Sequence, residues 1–175
     1  MNPILRCCSA AFLAVASISC SRETSAQEGP HQEIGKVAWG RDLKSALAAS
    51  RRSGKPVFAL FQEVPGCMGC KQFGRNVLSH PLIVQGIETE FTPLLIHNNS
   101  PGADAEVLQR YGEPAWSYQV VRFLDADGRD IIPRKDHVWE ASPLAERMMA
   151  ALEKASRPVP EYLKTVAFEN PTHPK

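Results

Sequence analysis

Val57-Phe58-Ala59-Leu60-Phe61 is an unbroken apolar run, and it restricts the possible folds more than any other stretch of the chain. A strand with one wet face alternates apolar and polar residues; a strand without alternation is covered on both faces. Gly54 and Pro56 immediately before the run mark it as a strand rather than a piece of helix. Such a strand needs a layer of structure on each side. A chain of 175 residues, 43% of them hydrophobic, can build one core of that kind.

The rest of the sequence supplies the covering layers. Leu43, Ala46, Leu47 and Ser50 recur at helical spacing between Trp39 and Ser53 and predict an amphipathic helix that stops at Gly54. A second helix is predicted from Lys71 to Leu78, with Phe73 and Val77 on the face that also carries Cys70. Ser79 and Pro81 suggest a cap and first-turn proline for a further helical piece through Ile87. Phe91 to Ile96 reads as a strand and Asp104 to Tyr111 as a short helix closed by Gly112. Val120 to Leu124 and Arg129 to Ile132 read as a hairpin around Asp127-Gly128. A last helix is expected to open with Ser142 as cap and Pro143 at its first position. This alternation predicts an α/β fold of three layers, a mixed central sheet with helices on both faces.

The ends are read separately. Arg6, the apolar stretch Ala10 to Ile18 and the small residues Thr24-Ser25-Ala26 have the form of an export leader over residues 1–26. In an alternative reading, Ser17-Ile18-Ser19-Cys20 is a lipoprotein box that leaves Cys20 acylated on a membrane. Residues 27–38 are expected to be a flexible arm, 39–156 the folded domain and 157–175 a tail extended over the surface. Losing the leader removes Arg6, Arg22 and Glu23, so 20 basic and 19 acidic residues become 18 of each. Neutrality argues against a nucleic-acid partner, whose phosphates need a concentrated positive face. Nothing indicates association between copies, and a monomer is expected.

Export also simplifies the five cysteines. Cys7, Cys8 and Cys20 belong to the leader or its anchor, which leaves Cys67 and Cys70 in the domain, in a compartment where disulfides persist. They fall where the predicted central strand ends and a helix begins, the usual place for sites in open α/β sheets. At a helix start the unpaired amides and the positive end of the dipole favour an anion, and only a thiolate attacks a disulfide. Cys67 would be that thiolate. Lys71, one turn on, would add positive charge, and Cys70 would lie within bonding reach. Gly69 allows a substrate backbone to approach, and Met68 adds an apolar contact without charge.

Gly54-Lys55-Pro56 before the strand, Cys67-Met68-Gly69-Cys70-Lys71 at the helix start, and Val120 to Leu124 followed by Asp127-Gly128-Arg129 resemble the thioredoxin-like superfamily from roughly Trp39 to Ala155. The resemblance implies that Cys67 is the nucleophile and Cys70 the resolving thiol. It also implies protein substrates carrying disulfides or thiols, and a redox partner that the sequence does not identify. It further implies a cis-proline opposite the cysteines, for which Pro114 is the candidate; Trp116 beside it would line a groove for substrate peptide. Two departures stand out. Thioredoxins carry a buried acid on the strand before the cysteines, where this chain has Leu60 and Phe61; the nearest carboxylate, Glu63, is the candidate base for Cys70. The Met68-Gly69 dipeptide matches neither the reducing members nor the strong oxidants, so the direction of electron flow stays open.

Other readings of the pair compete. A static disulfide would close a loop too short to constrain the unfolded chain much, and a redox-inert binding module would not need the pair at all. Two thiolates make half of a tetrahedral zinc site, with no second pair to complete it. Cu(I) accepts fewer soft ligands, and Met68 would be the third, so copper or soft-metal handling is the alternative chemistry. Covalent haem needs a histidine where Lys71 stands. In the redox reading the two sulfurs carry the electrons, and neither a cofactor nor a resident metal is expected.

Overall fold

A computed structural model describes residues 31–117 and 119–168. The leader, Cys20, residues 27–30 and the end of the tail lie outside the described residues. The central strand β1 (Val57–Gln62) is buried along its whole length, as its lack of alternation requires. It pairs in parallel with β2 (Thr92–His97) and antiparallel with β3 (Val120–Leu124), giving a mixed three-stranded sheet in the order β2-β1-β3.

The register sorts side chains into two cores. Phe58 and Leu60, with Leu95, Val121 and Phe123 beside them, face one side. There they meet α2 (Met68–Asn76), α3 (Pro81–Glu90), α5 (Ala141–Lys154) and α6 (Glu161–Phe168). Phe58, Phe91 and Phe123 form a cluster of rings with centroids 5.4 to 6.0 Å apart. Val57, Ala59 and Phe61 face the other side, with Leu94, Ile96, Val120 and Leu124, and are covered by α1 (Leu43–Ser53) and α4 (Ala103–Tyr111). The three layers follow from a strand whose odd and even residues are equally apolar.

Helix ends follow local chemistry. Asp42 caps α1 by accepting the Ser45 amide at 2.7 Å, and Gly54 ends it with φ 70°, a conformation glycine adopts without strain. Ser79 does not cap α3. Its hydroxyl donates back to the Gly74 carbonyl, and His80 holds the cap position before Pro81. Ser142 is likewise not a cap but lies inside α5, which starts after Glu140, and its hydroxyl ties α5 to the Ala167 carbonyl of α6.

Three further expectations are corrected. Arg129 to Ile132 is not a strand: after the Asp125–Gly128 turn the chain makes one bridge, Leu124 to Asp130, and the Ile131 amide donates to Phe123 before it leaves the sheet. Residues 31–38 of the expected arm are docked. Gln32–Ile34 forms a 3-10 turn against α2, Glu33 and Val37 are buried, and the Lys36 amide donates to Leu78. Residues 157–168 of the expected extended tail turn into α6, whose Leu163 and Val166 are fully buried against α3 and α5. In both cases a few apolar side chains outweigh a largely polar segment once a groove exists to take them.

Candidate active site

Cys67 is the N-cap residue of α2, extended at φ −69° and ψ 175°, directly before the first helical residue Met68. The loop from Glu63 to Gly66 carries the chain from the end of β1 to this position. Several hydrogen bonds fix that loop. The Val64 amide donates to Asn99 Oδ1 at 3.2 Å, and Asn99 Nδ2 donates to the Pro65 carbonyl at 3.1 Å. The Gly66 amide donates to Glu33 Oε1 at 2.9 Å, and Gln62 Nε2 donates to the Glu33 carbonyl. Burial pushes the Glu33 carboxyl up, but the Gly66 amide and the Lys71 charge outweigh it and hold the group below the usual carboxylate range. Glu33 thus stays ionised against α2.

The sulfurs of Cys67 and Cys70 lie 3.3 Å apart, both as free thiols. Their surroundings differ sharply: Cys67 is exposed and Cys70 is fully buried. The Cys70 amide, the Cys70 thiol and the Gly69 amide hold the Cys67 thiol below its ordinary pKa, against the opposing effects of burial and of the Glu63 carboxylate. Burial, the hydrogen bond with Cys67 and the charge on Cys67 push the Cys70 thiol up to about 12. One sulfur is therefore a ready nucleophile, and the other keeps its proton until something removes it.

Glu63 comes to the same place. Its carboxylate oxygen and the two sulfurs all lie within 4.8 Å of one another. It is contributed by the loop rather than by β1. Lys71 is close by, but its charge is felt at Glu33. The lowered pKa of Cys67 comes from the Cys70 amide, the Cys70 thiol and the Gly69 amide, in keeping with the support expected from a helix start.

Met68 and Trp139 bring apolar surface close to the exposed sulfur. Met68 is 67% exposed beside it. Trp139, which nothing in the sequence singled out, packs on Phe73 of α2 at 6.4 Å and 87°. Its ring lies 3.6 Å from where a Cβ on Gly69 would stand, a point itself 3.8 Å from Cys67 Sγ. The indole edge and the Cys67 sulfur thus both border residue 69. Trp116 is 72% exposed with φ 54°. Its amide donates to the Asn98 carbonyl at 3.0 Å, and Asn98 Nδ2 donates to the Ser117 carbonyl at 2.7 Å. Through Asn98 and its neighbour Asn99, the Trp116 loop is coupled to the loop that presents the cysteines.

Pro114 does not have the expected cis bond. The cis peptide among the described residues is Val64-Pro65, on the loop before Cys67. Pro114 is exposed and follows Glu113, whose carboxylate is buried and held by Arg122 at 2.6 Å and Arg134 at 2.7 Å. Arg122 projects from the middle of β3, donates also to Asp130 at 2.5 Å and the Tyr111 carbonyl at 2.9 Å, and stacks on the Tyr111 ring. This buried ion network anchors the segment between α4 and β3. An arginine inside an otherwise apolar strand was the available signal for it.

Comparison with known proteins agrees with this fold. The thioredoxin-like family model matches residues 38–126, from the segment before α1 to the turn after β3. The chain belongs to the thioredoxin-like family. Among solved structures, a DsbH oxidoreductase aligns with a TM-score of 0.56 at 16% identity, covering 73% of this chain and 92% of that one. A thioredoxin from Thermus thermophilus aligns with a TM-score of 0.56 at 21% identity, covering 68% of this chain and 89% of that one. At such identities these likenesses speak for the fold. No curated protein sequence matches the chain.

Proposed function

We propose that the protein is an exported thiol-disulfide oxidoreductase of reductase or isomerase type, acting on protein disulfides through Cys67 and Cys70. The observation that carries this reading is the asymmetry of the pair: an exposed sulfur with a lowered pKa, 3.3 Å from a buried one whose pKa is raised to about 12. A static bridge has no use for that difference. Export rests on the leader-like residues 1–26 and on the persistence of disulfides outside the cytoplasm.

In the reducing direction, the Cys67 thiolate attacks one sulfur of the substrate disulfide. The substrate S–S bond breaks, the other substrate sulfur leaves as a thiolate, and a mixed disulfide forms at Cys67. Cys70 then gives up its proton, with the Glu63 carboxylate as acceptor, and its sulfur attacks Cys67 Sγ. The mixed disulfide breaks and the substrate leaves with two electrons, while Cys67 and Cys70 become a disulfide. A thiol-bearing redox partner returns the pair to the dithiol. Met68, Trp116 and Trp139 offer apolar surface to the polypeptide around the attacked bond.

Reduction of insulin by the protein with a dithiol as electron source tests the reading. The wild type is expected to accelerate precipitation of the insulin B chain, and Cys67→Ser to abolish the acceleration. Equal activity of the two would overturn the proposal.

A further inference from the structure

The three groups that meet at the start of α2 are the donor set of a thiophilic metal ion, and this property does not require redox turnover. The sulfurs are 3.3 Å apart, and the Glu63 oxygen lies within 4.8 Å of both. A tetrahedral zinc ion with bonds of about 2.3 Å to sulfur spaces two thiolates about 3.8 Å apart, only slightly wider than here. Both donor cysteines lie within one helical turn, and Glu63 lies on the loop held by Asn99 and Glu33. The expected thioether donor is not needed, because a carboxylate completes the set. That oxygen also selects the metal: Cu(I) prefers an all-soft set, whereas zinc accepts sulfur and carboxylate together.

We propose that the reduced protein binds one Zn²⁺ through Cys67 Sγ, Cys70 Sγ and a Glu63 oxygen. A water molecule fills the fourth position on the exposed side of Cys67. Binding displaces the proton of the Cys70 thiol, while Cys67 enters as the thiolate it already is. The disulfide form lacks both thiolates and does not bind, so zinc stabilises the dithiol form alone. The apparent reduction potential then rises by about 30 mV for each tenfold excess of zinc over its dissociation constant. Zinc would also shield Cys67 from alkylation and hold the enzyme in a reduced, inactive store.

The test is a titration of the anaerobic, reduced full chain with Zn²⁺ against a chromophoric chelator, with Co²⁺ as a spectroscopic probe of thiolate ligation. Equimolar zinc uptake by the reduced chain, thiolate-to-cobalt charge-transfer absorption, and no uptake by the oxidised chain are expected. Glu63→Gln should weaken binding by roughly tenfold or more while circular dichroism and thiol count stay unchanged, and Met68→Leu should leave the affinity as it is. Absence of uptake, equal uptake by the oxidised chain, or an unaltered affinity in Glu63→Gln would overturn the proposal. Insulin reduction measured in metal-free buffer is independent of these outcomes, so failure of the redox reading and failure of the zinc site are separately visible.

Discussion

Glu33, distant in sequence, holds the amide of Gly66, next to Cys67, at 2.9 Å. The contact joins a 3-10 turn ahead of the first helix to the loop that presents Cys67, and it depends on how closely that turn approaches α2. The approach is possible because residue 74 has no side chain: a Cβ there would collide with the backbone of Gln32 and Glu33. Gly74→Ala should therefore expel the turn. The cost should be about 1–3 kcal/mol, as for overpacking elsewhere, and limited proteolysis should cut sooner ahead of Lys36. Denaturant melting and digestion read both effects.

Glu63 has opposite effects on the two steps of the exchange. Its negative charge raises the pKa of both thiols, so Glu63→Gln should move the alkylation profile of Cys67 to lower pH. The same change removes the proposed proton acceptor for Cys70. Release of the mixed disulfide should slow by on the order of a hundredfold, and the Cys67-linked intermediate should accumulate in gel assays at neutral pH.

The buried Cys70 thiol gives the reduced protein a weakness in alkali. A thiol whose folded pKa is raised stabilises the fold fully below its unfolded pKa of about 8.5. That contribution is lost as pH rises through the folded value of about 12. Cys67, with its pKa lowered, has the opposite sign: its contribution is present above about 8.5 and lost as pH falls through the folded value. Thermal melts from pH 8 upward should show reduced wild type losing stability faster than Cys70→Ala.

Arg122 is buried with Glu113, Asp130 and the Tyr111 carbonyl around it. Arg122→Met leaves the buried Glu113 carboxylate and the Tyr111 carbonyl short of a donor. A loss of roughly 3 kcal/mol is expected, at the low end for breaking a buried pair because Arg134 still holds Glu113. Urea unfolding measures it.

The layers and the cysteine position were legible in the sequence because each depends on local pattern. The unalternating run from Val57 to Phe61 demanded cover on both faces, and the change from strand to helix around Cys67 set its environment. What escaped depends on contacts distant in sequence. Glu33 reads as one acid in a polar arm until Gly66 and α2 are placed beside it. Leu163 and Val166 carry a helical spacing that Pro158 and Pro160 disguised as an extended tail. Those prolines precede the helix, where they do it no harm. Trp139 stands in a polar stretch between β3 and α5, and only the three-dimensional fold brings it to Gly69.

The central claim is that the opening turn of α2 holds the Cys67 sulfur as an anion. The most direct test is the rate of iodoacetamide alkylation at Cys67 in the metal-free, reduced protein as a function of pH, followed by mass spectrometry. The account predicts a midpoint clearly below the value of about 8.5 for a free cysteine, with Cys70 unmodified throughout the neutral range. A midpoint at or above that value, or equal alkylation of the two cysteines, would contradict it.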